Sequence, residues 1–420
     1  MNAGLRAGYK QTAVGVIPED WEVRPLFRVA DIRGGIAKNA NTTISDPISV
    51  HYLRVANVQD GFLSLGEMSK IELSRGDLGR YRVLPGDVLM NEGGDLDKLG
   101  RGAIWHGDFD PCVHQNHVFV VRCKAGLLPE YLNIWTATPP ARRFLLVAGK
   151  QTTNLASISK SSLGELPAAI PCLPEQRAIA AALSDVDALL AGLDRLIAKK
   201  RDLKQAAMQQ LLTGQTRLPG FQGEWVAKRL GDLGVFLKGS GVKKDESRGG
   251  DLPCVRYGEI YTHHNDCIRS FNSWITHDVA KTATRLKSGD LLFAGSGETK
   301  AEIGKCVAFV QDCEAYAGGD IVILRPVGVD SLFLGYFCNT SPISAQKASK
   351  GQGDAVVHIS AAALGSISLA LPTLAEQTAI ATVLSDMDAE LTALEARRNK
   401  TRALKQAMMQ ELLTGKTRLV

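Results

Sequence analysis

One segment of this sequence occurs twice, almost intact, and it limits the possible folds more than any other feature. The copies begin at Leu173 and Leu374 and agree at about 28 of 46 aligned positions. Shared helical composition does not produce so many identities. The chain is therefore an internal duplication, and its fold must contain the same element twice.

Each copy is predicted to form one long helix. Ala, Leu, Gln, Lys, Arg and Glu dominate it, no proline interrupts it after its start, and Gly214 or Gly415 follows as a stop signal. At 1.5 Å per residue, ~38 residues span roughly 57 Å, more than a compact domain would cover. The nearest partner is the duplicate itself, so the sequence predicts an antiparallel coiled coil.

Apolar residues at alternating three- and four-residue steps predict the seam between these helices. They are Leu183, Val186, Leu190, Leu193, Ile197, Leu384, Met387, Leu391 and Leu394. Basic residues accumulate where the seam is disturbed, from Arg195 to Lys204 and from Arg397 to Lys405. We interpret this run as a solvated face, and a surface that touches phosphate or a protein partner is the alternative.

The segments outside the helices are duplicated more loosely. Trp21 matches Trp225, and the segment LPGDVLMNEGG around Asp87 matches KSGDLLFAGSG around Asp290. Short apolar runs between Gly, Asp and Pro predict β-strands and turns. The predicted class is α+β, with two mainly β or mixed globular heads separated by the long helices. The predicted boundaries are 1–170 for the first head, 171–216 for the first helical region, 217–371 for the second head and 372–420 for the second helical region.

Composition and charge exclude several classes of protein. Hydrophobic residues make up 45% and charged residues 22% of the 420 residues, as in ordinary globular proteins. The net charge of +5 is compatible with a nucleic-acid partner without demonstrating one. No signal-peptide core and no run of ~18 uncharged apolar residues occurs, so we expect a cytoplasmic protein without membrane association. The eight cysteines form no C-x-x-C pair, which disfavours a zinc site or a disulfide framework.

Motifs for catalysis or cofactor binding are missing from the sequence. It has no phosphate loop and no glycine-rich dinucleotide cradle. Asp87 and Asp290 occupy matched turns, where we expect them to cap the turn. His114 and His117 have no histidine counterpart in the second half. We therefore expect them to be polar residues on or near a strand and not metal ligands. The sequence therefore predicts no catalytic residue, no metal site and no cofactor.

An ordered, doubled set of motifs resembles a known family. The set comprises the L-x-E-Q-x-x-I-A segments that end in L-L-T-G-x-T-R, the P-G-D or S-G-D turn before an apolar strand, and GKQTTNLASIS before the first helix. It resembles the specificity subunit of type I restriction-modification systems over essentially the whole chain. The second half departs from the pattern, with GQGDAVVHIS in place of GKQTTNLASIS.

The resemblance implies that each head is a target recognition domain for one half of a bipartite site in double-stranded DNA. It implies that the helices set the distance between the half-sites and hold two methyltransferase subunits, and that restriction or translocase subunits join the complex. Chemistry then belongs to those partners. The chain itself would be a non-catalytic DNA-recognition and assembly subunit.

Symmetry supports the same interpretation. A helix that pairs antiparallel with its duplicate creates a pseudo-two-fold axis, and DNA has the same symmetry. Two heads related in this way meet equivalent faces of a duplex when their half-sites lie about one helical turn apart, ~34 to 36 Å, or a multiple of it. Because the heads differ in sequence, we expect the site to be asymmetric.

Candidate DNA contacts are Arg, Lys, Asn and Gln on loops, because these side chains bond to guanine, adenine and phosphate. In the first head they are Arg33, Lys38, Asn57, Lys98, Arg101, Lys150, Gln151 and Asn154. In the second head they are Lys238, Lys243, Lys244, Lys300, Lys305, Lys350 and Gln352.

Three other functions stay open at this point. The chain could be a stand-alone DNA-modifying enzyme with an unrecognised site. It could be the specificity subunit of a related type II system whose methylase and nuclease share one chain. A coiled-coil adaptor indifferent to DNA explains the helices but leaves the two divergent heads unexplained.

Overall fold

The computed structural model describes residues 6–37, 44–95, 99–151, 156–353 and 356–419. The chain divides into two compact units, Met1–Leu193 with Arg397–Val420 and Asp194–Ala396. Each unit contains one head, part of the long helix that follows it and part of the long helix from the other copy.

The first head consists of short strands and short helices. The strands are β1 (Tyr9–Thr12), β2 (Gly15–Pro18), β3 (Glu22–Pro25), β4 (Ala30–Arg33), β5 (Pro47–Leu53), β6 (Ser69–Ser74), β7 (Val88–Asn91), β8 (Gly93–Gly94), β9 (Gly102–Ile104), β10 (Cys112–His114), β11 (Val118–Cys123), β12 (Lys150–Gln151), β13 (Ala156–Ser157) and β14 (Pro167–Ile170). The helices are α1 (Leu26–Val29), α2 (Leu78–Tyr81), α3 (Pro129–Thr136), α4 (Pro139–Ala148) and α5 (Lys160–Gly164). The long helix α6 (Leu173–Leu211) follows.

The second head repeats this plan. Its strands are β15 (Val226–Arg229), β16 (Gly234–Lys238), β17 (Leu252–Val255), β18 (Ser273–Ile275), β19 (Thr284–Arg285), β20 (Asp290–Ala294), β21 (Ser296–Gly297), β22 (Cys306–Phe309), β23 (Tyr316–Ala317), β24 (Ile321–Pro326), β25 (Val357–His358) and β26 (Ser368–Leu371). Its helices are α7 (Tyr257–Thr262), α8 (His277–Ala280), α9 (Ser331–Phe337), α10 (Ser341–Lys350) and α11 (Ala361–Gly365), and the long helix α12 (Leu374–Leu412) follows.

A four-stranded antiparallel sheet forms the centre of each head. Its strand order is β4-β11-β7-β9 in the first head and β16-β24-β20-β22 in the second. A second sheet in each head contains one parallel pair, β5 with β10 or β17 with β23. Largely antiparallel sheets with separate helices confirm the predicted α+β class.

Each head has its own hydrophobic core, to which both long helices contribute. In the first unit Val88 of β7 and Trp135 of α3 share one buried cluster with Leu183 of α6 and Leu412 of α12. In the second unit the corresponding cluster combines residues of the central sheet and α9 with residues near the end of α6 and the start of α12. Packing between head and helices therefore belongs to the core itself.

The P-G-D and S-G-D turns hold a buried carboxylate in each head. Asp87 accepts a bond from the Leu84 backbone N–H at 2.7 Å and pairs with Arg122 of the neighbouring strand at 2.7 Å. Asp290 does the same with the Lys287 N–H and Arg325, both at 2.8 Å. The expected capping role is observed, and the arginine pairing adds a link between adjacent strands.

The long helices are alike in length and termination. Each contains 39 residues, with Glu175 or Glu376 in its first turn, where a carboxylate interacts favourably with the helix dipole. Gly214 and Gly415 follow with φ angles of 70° and 67°, a conformation that favours glycine and ends a helix.

Ion pairs within the second unit show that the helices are antiparallel there. Lys200 of α6 pairs with Glu390 of α12 at 2.7 Å, and Lys204 pairs with Asp388 at 2.7 Å. Residue numbers rise in one helix as they fall in the other. In the first unit Lys405 of α12 pairs with Asp187 of α6 at 2.6 Å. These two residues are the duplicates of Lys204 and Asp388, so the same ion pair forms in both units.

The nine predicted seam residues are all at least half-buried. Leu183, Leu193, Ile197 and Leu384 are buried, and Val186, Leu190, Met387, Leu391 and Leu394 are half-buried. Part of the basic run differs from the solvated-face interpretation, because Lys200, Arg201, Lys204 and Lys405 pair with carboxylates of the other helix. Five other basic residues of the run are exposed, namely Arg195, Lys199, Arg397, Lys400 and Arg402.

A buried glutamate attaches the first head to the base of its helix. Glu175 is fully buried and accepts a bond from Trp21 Nε1 at 3.0 Å and one from Arg418 at 2.8 Å. Arg418 also binds Asp20 at 2.8 Å, and this hydrogen bond lowers the pKa of Asp20. The arginine thus comes from the second helical copy and the glutamate from the first.

The second unit contains the reciprocal arrangement. The buried Glu376 pairs with Arg217, whose guanidinium lies 5.9 Å from the ring centroid of Trp225. Each helical copy therefore receives the terminal arginine of the other.

Candidate nucleic-acid interface

An open cleft lies at the same place in both heads, between the outer strand of the central sheet and the short helix that precedes the last strand. In the first head it lies between β4 and α5 and has a volume of about 830 Å³. In the second head it lies between β16 and α11 and has a volume of about 460 Å³.

A small sheet stands near each cleft. In the first head it is formed by β8, β13 and β12, with Lys150 opposite Ser157. In the second head β21 pairs with β25, and Gln352 exchanges two backbone hydrogen bonds with His358, at 2.8 and 2.9 Å. A Cβ atom on Gly295 would approach the Asp320 carbonyl oxygen to 2.9 Å, so glycine permits the close passage of the chain here.

The second cleft gathers three of the predicted DNA contacts. Lys238 is exposed at the end of β16, Lys350 is half-buried at the end of α10, and Gln352 is exposed. His358 also lines this cleft, and its Nδ1 lies 2.9 Å from Ser296 Oγ. Two ammonium groups and an amide are side chains that bind phosphate and base edges.

The first cleft has different polar residues. Arg33 lines it from β4, and Lys160 lines it from α5. Asp31, also in its lining, pairs with Lys124 at 3.1 Å. Lys160 is not among the contacts predicted from the sequence, and the matched residue of the second head is Ala361.

The other predicted contacts that the structure describes do not line either cleft. Lys150 and Gln151 are exposed on β12, Lys243, Lys244 and Lys300 are exposed on loops, and Arg101 is half-buried. Lys38, Lys98 and Asn154 lie outside the described residues.

Two predicted contacts face inward, and we leave them out of the interface. Asn57 is buried, and its amide bonds to the Arg54 N–H at 2.9 Å and the Ser64 carbonyl at 2.8 Å. Lys305 is half-buried, donates to the His264 carbonyl at 2.7 Å, and has a pKa lowered by burial. Both side chains support loops of their own head.

The two histidines of the first head have structural partners. His114 is buried in β10 with Nδ1 at 2.6 Å from the Val118 carbonyl, and burial lowers its pKa to about 4. His117 Nδ1 lies 3.0 Å from Glu92. Within the described ranges no group of three or more His, Cys, Asp or Glu residues could hold a metal ion.

Two divergent heads have a cleft at the same place, and each shares a core with duplicated helices that run antiparallel within its unit. These features define a two-headed protein built on a duplicated helix. The family model for the type I restriction modification DNA specificity domain matches residues 222–402. The putative type I restriction enzyme MjaX specificity subunit of Methanocaldococcus jannaschii is 25% identical over 431 residues, covering 98% of this chain and 97% of the relative. The type I restriction enzyme EcoKI specificity subunit of Escherichia coli is 22% identical over 194 residues, covering 44% and 41%.

Solved structures share the fold. The type I restriction-modification S subunit from M. genitalium gives a TM-score of 0.58 at 14% identity, covering 93% of this chain and 96% of that one. The HsdS subunit from Thermoanaerobacter tengcongensis gives 0.51 at 18% identity, covering 96% and 98%. The chain is thus similar to type I restriction-modification specificity subunits over nearly its whole length, and the family model covers its second half. Among the helices that the structure describes, none is long and apolar enough to cross a membrane.

Proposed function

We propose that this chain is the DNA sequence-recognition subunit of a type I restriction-modification complex and is not itself an enzyme. Residues 1–170 and 217–371 act as target recognition domains, each for one half of an asymmetric bipartite site. Residues 171–216 and 372–420 hold these domains at a fixed separation. The similarity to type I specificity subunits supports this role.

The observation that carries the proposal is the cleft that is built twice with different side chains. Arg33 and Lys160 line the first, and Lys238, Lys350 and Gln352 line the second. Lysine and arginine neutralise phosphates, and glutamine can bond to both N6 and N7 of adenine. Equivalent clefts with unlike donors suit two different half-sites.

Partners follow from the same reasoning. The duplicated helices offer two nearly identical surfaces, so we propose that two methyltransferase subunits bind and that restriction subunits join them. These partners supply the chemistry. The complex acts on double-stranded DNA in the cytoplasm.

A head exchange tests the proposal. The chain is produced with its methyltransferase partners in a host that lacks other DNA methylation, and single-molecule sequencing reads every methylated site. Replacing residues 20–165 by the same segment of another specificity subunit should change one half-site and leave the other half-site and the spacer unchanged. A change in both half-sites contradicts independent reading, and methylation by the purified chain without partners contradicts the non-catalytic role.

A further inference from the structure

A largely buried cluster of charges joins the second head to both long helices within the second unit. Lys204 of α6 binds Asp388 of α12 at 2.7 Å and reaches Asp266 of the head at 3.4 Å. The three side chains are only 12% to 19% exposed. One ammonium group therefore holds a carboxylate of the other helix and a carboxylate of the head together.

The head adds further bonds to this cluster. The Tyr336 hydroxyl donates to Asp388 at 2.6 Å, and Arg269 reaches the same carboxylate at 3.1 Å. The Lys204 ammonium also lies 5.3 Å from the centroid of the Tyr336 ring, within cation–π range. Because these groups are largely shielded from water, their attraction is stronger than that of a surface ion pair.

The first unit has the duplicated pair without the head residues. Lys405 and Asp187 pair at 2.6 Å, but the aspartate is 52% exposed and the lysine 27%. Ile134 is the counterpart of Tyr336, because each is the sixth residue after the N-cap of its helix, α3 or α9. Isoleucine has no hydroxyl to donate. In the described part of the first head, no residue joins this ion pair.

Polar bonds join the second head to α12 at two levels. Near the start of the helix, the Asp330 N–H donates to Gln377 at 3.0 Å and the Thr378 hydroxyl donates to the Asp330 carboxylate at 2.9 Å. The cluster around Asp388 lies ten residues beyond Thr378, which is ~15 Å along a helix. These bonds act together with the apolar core that the head shares with both helices, and loss of the Asp388 cluster leaves the head less resistant to tilting.

We propose that Lys204 is a positioning residue that determines how strictly the second half-site must be spaced from the first. The inference rests on the proposed function, since it presumes that each head reads one half-site. One base pair of spacer moves a half-site by ~3.4 Å and turns it by ~35° around the duplex. A head that is held less firmly to α12 can follow part of this movement, and DNA twisting supplies the remainder.

The test compares Lys204→Met with its duplicate Lys405→Met in the methylation experiment described above. Lys204→Met should raise methylation of sites whose spacer is one base pair longer or shorter, relative to the normal spacer, by about tenfold, because it breaks an interaction in a coupled network. The half-site sequences should not change. Lys405→Met should keep the normal spacer, and Lys204→Arg should restore most of the discrimination.

A purely structural role would reduce methylation at every spacer equally, and that result overturns the inference. An unchanged single spacer in Lys204→Met, or equal broadening in Lys405→Met, also overturns it. If Lys204→Met does not fold, Tyr336→Phe serves as the test, because it removes only one hydroxyl from the cluster. Methylation at a wider range of spacer lengths in Tyr336→Phe supports the inference, and an unchanged single spacer refutes it. A wild-type complex that methylates no bipartite site contradicts the proposed function instead.

Discussion

Replacing Asp290 by asparagine should weaken the second head selectively. The carboxylate is fully buried and accepts two bonds from Arg325 and one from the Lys287 N–H, each of 2.8 Å. Asparagine has nearly the same volume but no charge. The substitution therefore leaves the guanidinium without its ionic partner and removes one bidentate contact.

The size of the effect follows from the burial of the two partners. Breaking a buried ion pair by removing one partner costs about 3–5 kcal/mol. The Arg325 side chain is 30% exposed, so water replaces part of the lost interaction. We therefore expect a loss of about 2–3 kcal/mol. In a unit of about 200 residues this lowers the melting temperature by roughly 4–12 °C.

Hydrogen exchange measured by mass spectrometry locates the loss. Amides of β20 and β24 should lose protection in Asp290→Asn, while those of β7 and β11 keep it. The twin substitution Asp87→Asn should give the opposite pattern, because Asp87 pairs with Arg122 in the same way. Asp312 is exposed, so Asp312→Asn is the matched control. A melting temperature of Asp290→Asn within 1 °C of the control would refute the reasoning.

Two further predictions concern the cleft of the second head and the response to acid. Combined replacement of Lys350 and Gln352 by alanine should weaken binding of the assembled methyltransferase to its target DNA by at least about tenfold and reduce the salt dependence of binding by about one ion. Lys300→Ala should have little effect on either quantity. Filter binding at several salt concentrations measures both. His114 has a pKa of about 4 in the fold. An unfolded histidine has a pKa near 6.5, so below that pH the unfolded chain binds a proton that the folded chain does not. The free energy of unfolding therefore falls as the pH drops from 6.5 toward 4, and the loss at pH 5 is ~2 kcal/mol. His114→Asn should flatten this decline in urea unfolding curves.

The sequence predicts the scaffold well because periodicity reports packing directly. Leu183 and Leu384 lie at matched positions of the duplicated helix, and both are fully buried. The stop glycines Gly214 and Gly415 take the left-handed conformation that their position predicts. The duplication strengthens the prediction of the long helices, since both copies carry the same apolar pattern and the same stop glycine.

The polar residues of the heads were harder to place from the sequence. Asn57 and Lys305 have the right chemistry for DNA, but their side chains are used by nearby backbone groups. Lys160 lines the first cleft only because α5 folds back beside β4. Which way a loop side chain points depends on tertiary contacts that no periodicity records, so composition alone selects candidates without locating them.

The exchanged ion pairs give a physical reason why the helices stayed alike while the heads diverged. Glu175 of the first copy binds Arg418 of the second, and Glu376 of the second binds Arg217 of the first. Both glutamates are buried, so losing either arginine would leave a buried charge unpaired. A change in one copy therefore has to fit the unchanged residue of the other copy. Among the described residues, the side chains of Arg33 and Lys238 in the clefts form no ion pair with the other copy, so each can change without cost to the scaffold.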